Sequence, residues 1–106
     1  MLLLTIEYIP GKKVEALGVA KGSVVQSKHL GKDFMAGMKT LVGGEIQGYT
    51  EMLDEARQIA TRRLEADAAA QGADAVLGVR YTSSSVMQGA AEVTAYGTAV
   101  RILGDE

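Results

Sequence analysis

Between Tyr49 and Gln71 the chain carries one long amphipathic pattern, and it limits the fold more than any other feature. Tyr49, Met52, Leu53, Ala56, Ile59, Ala60 and Leu64 recur at i, i+3, i+4 and i+7, the spacing that lines one face of a helix with apolar side chains. Apart from Ala66, the other positions between Thr50 and Asp67 are polar, so only one face can be buried. Glu51, Asp54 and Glu55 stand early in the pattern, where the helix dipole favours carboxylates. Asp54 with Arg57, and Arg62 with Glu65, have the i, i+3 spacing of surface ion pairs. Ala68-Ala69-Ala70 favours helix, and Gly72 is placed to end it in a left-handed cap. A helix with a single apolar face needs a surface to lie on, and the flanking sequence supplies a sheet.

After the helix, Asp74 to Thr82 is rich in Val, Leu and Tyr, with Ala75, Leu77, Val79 and Tyr81 alternating with Val76, Gly78, Arg80 and Thr82. Ser83-Ser84-Ser85 and Gln88-Gly89 predict a loop. Ala91 to Leu103 reads as the second strand of an antiparallel hairpin, with Val93, Ala95, Gly97 and Ala99 on one face and Thr94, Tyr96, Thr98, Val100 and Ile102 on the other. Before the helix, Leu2 to Ile9 and Val14 to Val25 are β-prone runs either side of the turn signal Pro10-Gly11-Lys12-Lys13. A shorter helix over Asp33 to Val42 brings Phe34, Met38 and Leu41 together and stops at Gly43-Gly44. The predicted fold is α+β, an antiparallel sheet with two helices in the order β-β-α-α-β-β, in one domain spanning residues 1–106.

The apolar set is unusual in its sizes. Fifteen Ala are present, but only four Tyr, one Phe and no Trp. A chain of 106 residues buries about 60 to 70% of its unfolded surface, and small side chains make that burial less stabilising, so subunits sharing a core are expected. The formal net charge is -2 and no basic run is longer than the pair Arg62-Arg63, which argues against nucleic acid as a partner. No stretch approaches the roughly 18 apolar residues of a membrane span. The expected location is cytoplasmic. No Cys is present, which excludes disulfides and thiolate chemistry.

The runs Gly18-Val19-Ala20-Lys21-Gly22, Asp33 to Gly44, Tyr49 to Arg57, Gly72-Ala73-Asp74-Ala75-Val76-Leu77-Gly78-Val79 and Tyr96-Gly97-Thr98-Ala99-Val100 resemble, in order and spacing, the YbjQ family, also called the "putative heavy-metal-binding domain" family. The resemblance extends from about Val14 to Ile102. It implies a dodecin-like α+β subunit that assembles with copies of itself into a ring, typically a homopentamer, and it implies a metal ion as a ligand.

Without Cys, a metal would have to be a borderline or hard divalent ion held by nitrogen and oxygen. His29, the single His, and Asp33 are the candidate metal ligands, sharing a face if the first helix begins at His29. Two ligands do not close a site, which takes about four, but ring symmetry repeats each ligand around an axis. Catalysis finds less support. Ser83, Ser84 and Ser85 have only His29 as a possible imidazole base, and no nucleophile elbow, phosphate loop or dinucleotide fingerprint is present. Gly43, Gly44 and Gly48 precede the long helix, but Glu45 and Glu51 would repel an anion there. Gly78 and Gly97 predict close backbone approach within strands, and the four Tyr predict packing with polar tips. The function expected is a non-enzymatic homo-oligomeric module binding a metal ion or small ligand between subunits, with a structural or partner-binding ring as the alternative.

Overall fold

A computed structural model of the chain describes residues 1–27 and 44–106. Within them lie β1 (Leu2–Leu3), β2 (Lys12–Ser27), a helix α1 (Gly44–Ala70), β3 (Ala75–Met87) and β4 (Ala90–Asp105). The strands form one sheet in the order β1-β3-β4-β2. The α+β class therefore stands. The second helix predicted over Asp33 to Val42 lies outside the described residues.

The long helix is present and begins earlier than its apolar stripe, at Gly44. Its buried row is Met52, Ala56, Ala60, Leu64 and Ala68, each four residues from the last, with Leu53 and Ile59 half-buried beside it. Gly72 ends it as predicted: at φ 82° its N–H donates to the Ala69 carbonyl at 2.9 Å, and the Ala73 N–H donates to the Ala68 carbonyl at 3.1 Å. This pair of bonds is the Schellman arrangement, which satisfies carbonyls that the helix leaves unpaired.

Small residues decide how closely α1 seats. A Cβ built on Gly22 would stand 2.3 Å from the Leu64 nitrogen and 2.4 Å from the Ala60 oxygen, so the helix backbone rests directly on the backbone of β2. Around that point Ala20, Val24, Val76, Val79, Val93, Ala95 and Ala99 complete the core beneath the helix. The face assigned to β4 from its alternation holds here, since Val93, Ala95 and Ala99 all pack under α1.

Three expectations are corrected. The sheet is mixed, because β1 runs parallel to β3, with Leu2 opposite Ala75 and Leu3 opposite Val76. Pro10-Gly11 does form a turn, with Gly11 at φ 76° and the Lys12 N–H donating to the Ile9 carbonyl at 3.0 Å. It returns the chain from a lid instead of from a full strand. Residues 4 to 9 leave β1 and cross the sheet's far face, where Leu4 and Ile9 pack with Ala75, Leu77 and Val100 in a second cluster.

The second correction concerns the alternation of β3. Gly78, at φ 63°, lies in a register shift between Leu77 and Arg80, which puts Val76 and Val79 on the helix side and leaves Ala75 and Leu77 on the far side. A glycine bulge offsets the period of two. Gly97 lies across from it, where a Cβ would meet Val76 Cγ1 at 2.7 Å and the Leu77 oxygen at 2.8 Å, the close strand approach that the sequence predicted.

The third correction is that Ser83-Ser84-Ser85 is strand, paired with Val93, Glu92 and Ala91. The turn is Gln88-Gly89 alone, with Gly89 at φ 79°. Ser and Thr are compatible with a pleated ladder, and the long partner strand overrides their preference for turns. The resulting molecule measures 57 × 22 × 18 Å with a Cα radius of gyration of 17.2 Å, against about 13 Å for a compact chain of this length.

Candidate functional site

The polar face of α1 and the first solvent-facing turn of β3 enclose an open groove of about 580 Å³, lined by Asp54, Arg57, Gln58, Thr61, Arg62 and Tyr81. Helical spacing stacks the first five on one side of α1, three and four residues apart. Tyr81 reaches them because the Gly78 bulge turns its side chain toward the helix, paired across from Ala95.

Hydrogen bonding orders this wall. Thr61 Oγ1 donates to the Arg57 carbonyl at 2.7 Å, which commits its only proton. The Tyr81 hydroxyl, 2.7 Å from the same oxygen, is therefore the donor to Thr61, and its own lone pairs remain available to a ligand. The Arg57 guanidinium pairs with Asp54, as the i, i+3 spacing predicted. Both members are exposed, so the pair adds only a few tenths of a kcal/mol. Its effect is to cancel one charge of each sign. Arg62 then leaves the groove with a cation that has no ion pair among the described residues. The groove offers an acceptor, a cation and an amide, suited to a small polar ligand. Among the described residues it holds no carboxylate pair for general acid–base work.

A second recess, of about 240 Å³, lies between Tyr49, Met52 and Leu53 of α1 and Ser83, Ser84 and Ser85 of β3. Ser85 Oγ donates to the Met87 carbonyl at 3.3 Å, so this hydroxyl is engaged with the strand end. His29 and Asp33, the candidate metal ligands, lie outside the described residues. Among the described residues no three His, Cys, Asp or Glu side chains converge as a metal site would require.

The family model described as "Putative heavy-metal-binding", YbjQ, matches residues 1–103. The chain belongs to the YbjQ family. A UPF0145 protein of Clostridium novyi is 55% identical over 103 residues, covering 97% of this chain and 100% of that protein. A UPF0145 protein of Thermus thermophilus is 60% identical over 103 residues, covering 96% of this chain and 90% of that protein. Among solved structures, a DUF74-family protein of unknown function from Pediococcus pentosaceus superposes with a TM-score of 0.60 at 20% identity, covering 96% of this chain and 97% of that one. At that identity the likeness concerns the fold. Against the family's heavy-metal description stands the donor set of this YbjQ member: it has no Cys, and Asp54, the one carboxylate among the described residues that line the groove, is already paired with Arg57. The described residues of one subunit do not fit a soft metal ion.

The sequence placed Asp54, Arg57 and Arg62 on the solvated face of the helix, and there they are. It did not bring Tyr81 to them, since the bulge that turns Tyr81 shows locally only as a glycine in a strand. It also missed a second polar row on α1. Arg63, Asp67 and Gln71 follow one another at intervals of four and bond to the backbone of β2. That spacing beside the apolar row Ala60, Leu64 and Ala68 was the available signal.

Proposed function

We propose that this YbjQ protein is a non-enzymatic homo-oligomeric module that holds a small ligand or a metal ion between its subunits. The observation that carries this reading is the one-sidedness of the groove. Among the described residues that line it, five come from one helix face and the sixth from β3, so these residues leave a second wall to be supplied. A neighbouring subunit is the natural source, given the elongated shape and the small-residue core. A ring, five-membered by resemblance to the family, and a cytoplasmic setting belong to the same proposal. For the metal alternative, His29 and Asp33 would supply ligands repeated by the symmetry of the ring. The part of the sheet's far face that residues 4 to 9 do not cover favours the second reading, a structural or partner-binding ring, because Val19 is 71% and Val25 57% exposed there.

Native mass spectrometry of protein purified from its own host tests the proposal. The expected spectrum shows an assembly carrying extra mass in simple proportion to its subunits. Where that mass is a metal ion, His29→Ala is expected to lose it; retention of the ion removes His29 from the ligands. An assembly carrying a second protein and no small molecule would favour the structural ring.

A further inference from the structure

The two long edges of the sheet differ in how their backbone is covered. On β2 the polar row of α1 meets it: the Val19 carbonyl accepts from Gln71 Nε2 at 2.9 Å, the Lys21 N–H donates to Asp67 Oδ2 at 2.9 Å, and the Ser23 carbonyl accepts from Arg63 Nη1 at 2.6 Å. Nearer its start, β2 carries register shifts at Lys13/Val14 and Ala16/Gly18 and the charges of Lys12, Lys13 and Glu15. Bulges and charges are devices that keep an edge from recruiting another strand.

On β3 the lid covers only the first part. The Val79 N–H donates to the Leu4 carbonyl and the Gly78 N–H to the Ile6 carbonyl, each at 3.0 Å, and the Thr5 carbonyl accepts from Arg80 Nη1 at 2.9 Å. Beyond Arg80 no described element pairs with that side of β3. Since the Val79 N–H points away from β4, alternation along the strand turns the N–H and C=O of Tyr81, Ser83 and Ser85 away from β4 as well. Residues 80 to 88 are exposed throughout, and Tyr81 to Met87 contains no Lys, Arg, Asp, Glu or Pro. From Tyr81 to Ser85 this edge carries neither the charges nor the helix side-chain contacts to its backbone found on β2 among the described residues, and its register shifts fall to either side, between Leu77 and Arg80 and between Ser85 and Met87.

We propose that this edge of β3 pairs antiparallel with the same segment of a second copy of the chain, about a two-fold axis at Ser83. In that register Tyr81 faces Ser85, Thr82 faces Ser84 and Ser83 faces its own counterpart, all neutral, so no like charges oppose one another. The outward N–H and C=O groups of Tyr81, Ser83 and Ser85 then find partners in both copies, and the exposed Val86 and Met87 lie next to the seam. A two-fold contact closes on itself, so it makes a dimer of isolated chains or joins two rings face to face. The inference rests on the self-association proposed above and adds to the ring's own interface a separate two-fold contact.

Amide hydrogen exchange and light scattering on the full chain test it together. Exchange at Tyr81, Ser83 and Ser85 is expected to be at least about tenfold slower in the assembled protein than in its dilute, dissociated form. Ser83→Pro removes an outward N–H without breaking the β3–β4 ladder and is expected to halve the assembly's mass. Ser83→Lys sets two cations against each other at the axis and is expected to halve it at low salt, with recovery as salt screens them. An assembled parent in which the three amides exchange freely, and whose mass neither variant changes, overturns this edge while leaving self-association standing. A parent of single-chain mass at every concentration overturns self-association itself, and this contact with it.

Discussion

Gly22→Ala is expected to lower the stability of the protein by about 3 kcal/mol or more, a large share of the roughly 5 to 15 kcal/mol that holds a small domain together. The added methyl would stand 2.3 Å from the Leu64 nitrogen, 2.4 Å from the Ala60 oxygen and 2.7 Å from the Arg63 carbonyl carbon. All three are backbone atoms, so no side chain can rotate aside. The helix would have to lift by about 1 Å, and a gap of that size forfeits a quarter to a half of the dispersion attraction along its contact with the sheet. In a thermal melt at matched protein concentration this corresponds to a loss of roughly 12 to 24 °C. Gly11→Ala is the control. Gly11 has φ 76° and no atom within 4 Å of a built Cβ, so its cost is the left-handed backbone alone, about 1 to 2 kcal/mol. A Gly22→Ala protein that melts like the parent would show that α1 does not seat on β2 at this point.

The second large effect is expected from Leu64→Asp. Leu64 is fully buried, at 0% exposure, in the cluster beneath the helix. Removing a buried leucine side chain costs about 2 to 5 kcal/mol, and desolvating an unpaired carboxylate adds to it. The variant is expected to be unfolded or close to it in the absence of denaturant. The sequence alone put Ile59 in the apolar stripe beside Leu64. The structure sets it half-buried on the flank, so Ile59→Asp is expected to cost less than Leu64→Asp, while Arg62→Ala, on the exposed side, should change stability by no more than about 0.5 kcal/mol. Urea melts of the three variants give the order. If Ile59→Asp is the most damaging, the helix is rotated from the orientation described.

These variants also mark what was legible in the residues. The helix, its glycine cap and the faces of β4 were readable because each is fixed by local periodicity or by a conformation that glycine adopts readily. The parallel pairing of β1 was not, since Leu2 and Leu3 meet Ala75 and Val76 across more than seventy residues and nothing in the first run specifies that edge. Ser83 to Ser85 misled because local preference pointed to a turn while the partner strand held them in the ladder. Gly22 stood in a quoted motif, yet its role as the seat of α1 depends on a helix some forty residues away. The groove was half visible: spacing gathered Asp54, Arg57 and Arg62 on one face, but Tyr81 and its bond to Thr61 depend on the bulge at Gly78.

Self-association underlies both the ligand site and the paired edge, and the mass of the protein in solution tests it most directly. Static light scattering on the purified protein, from low to high micromolar concentration, is expected to give a multiple of 11.1 kDa that persists as concentration rises. A mass near 11.1 kDa throughout that range would contradict it.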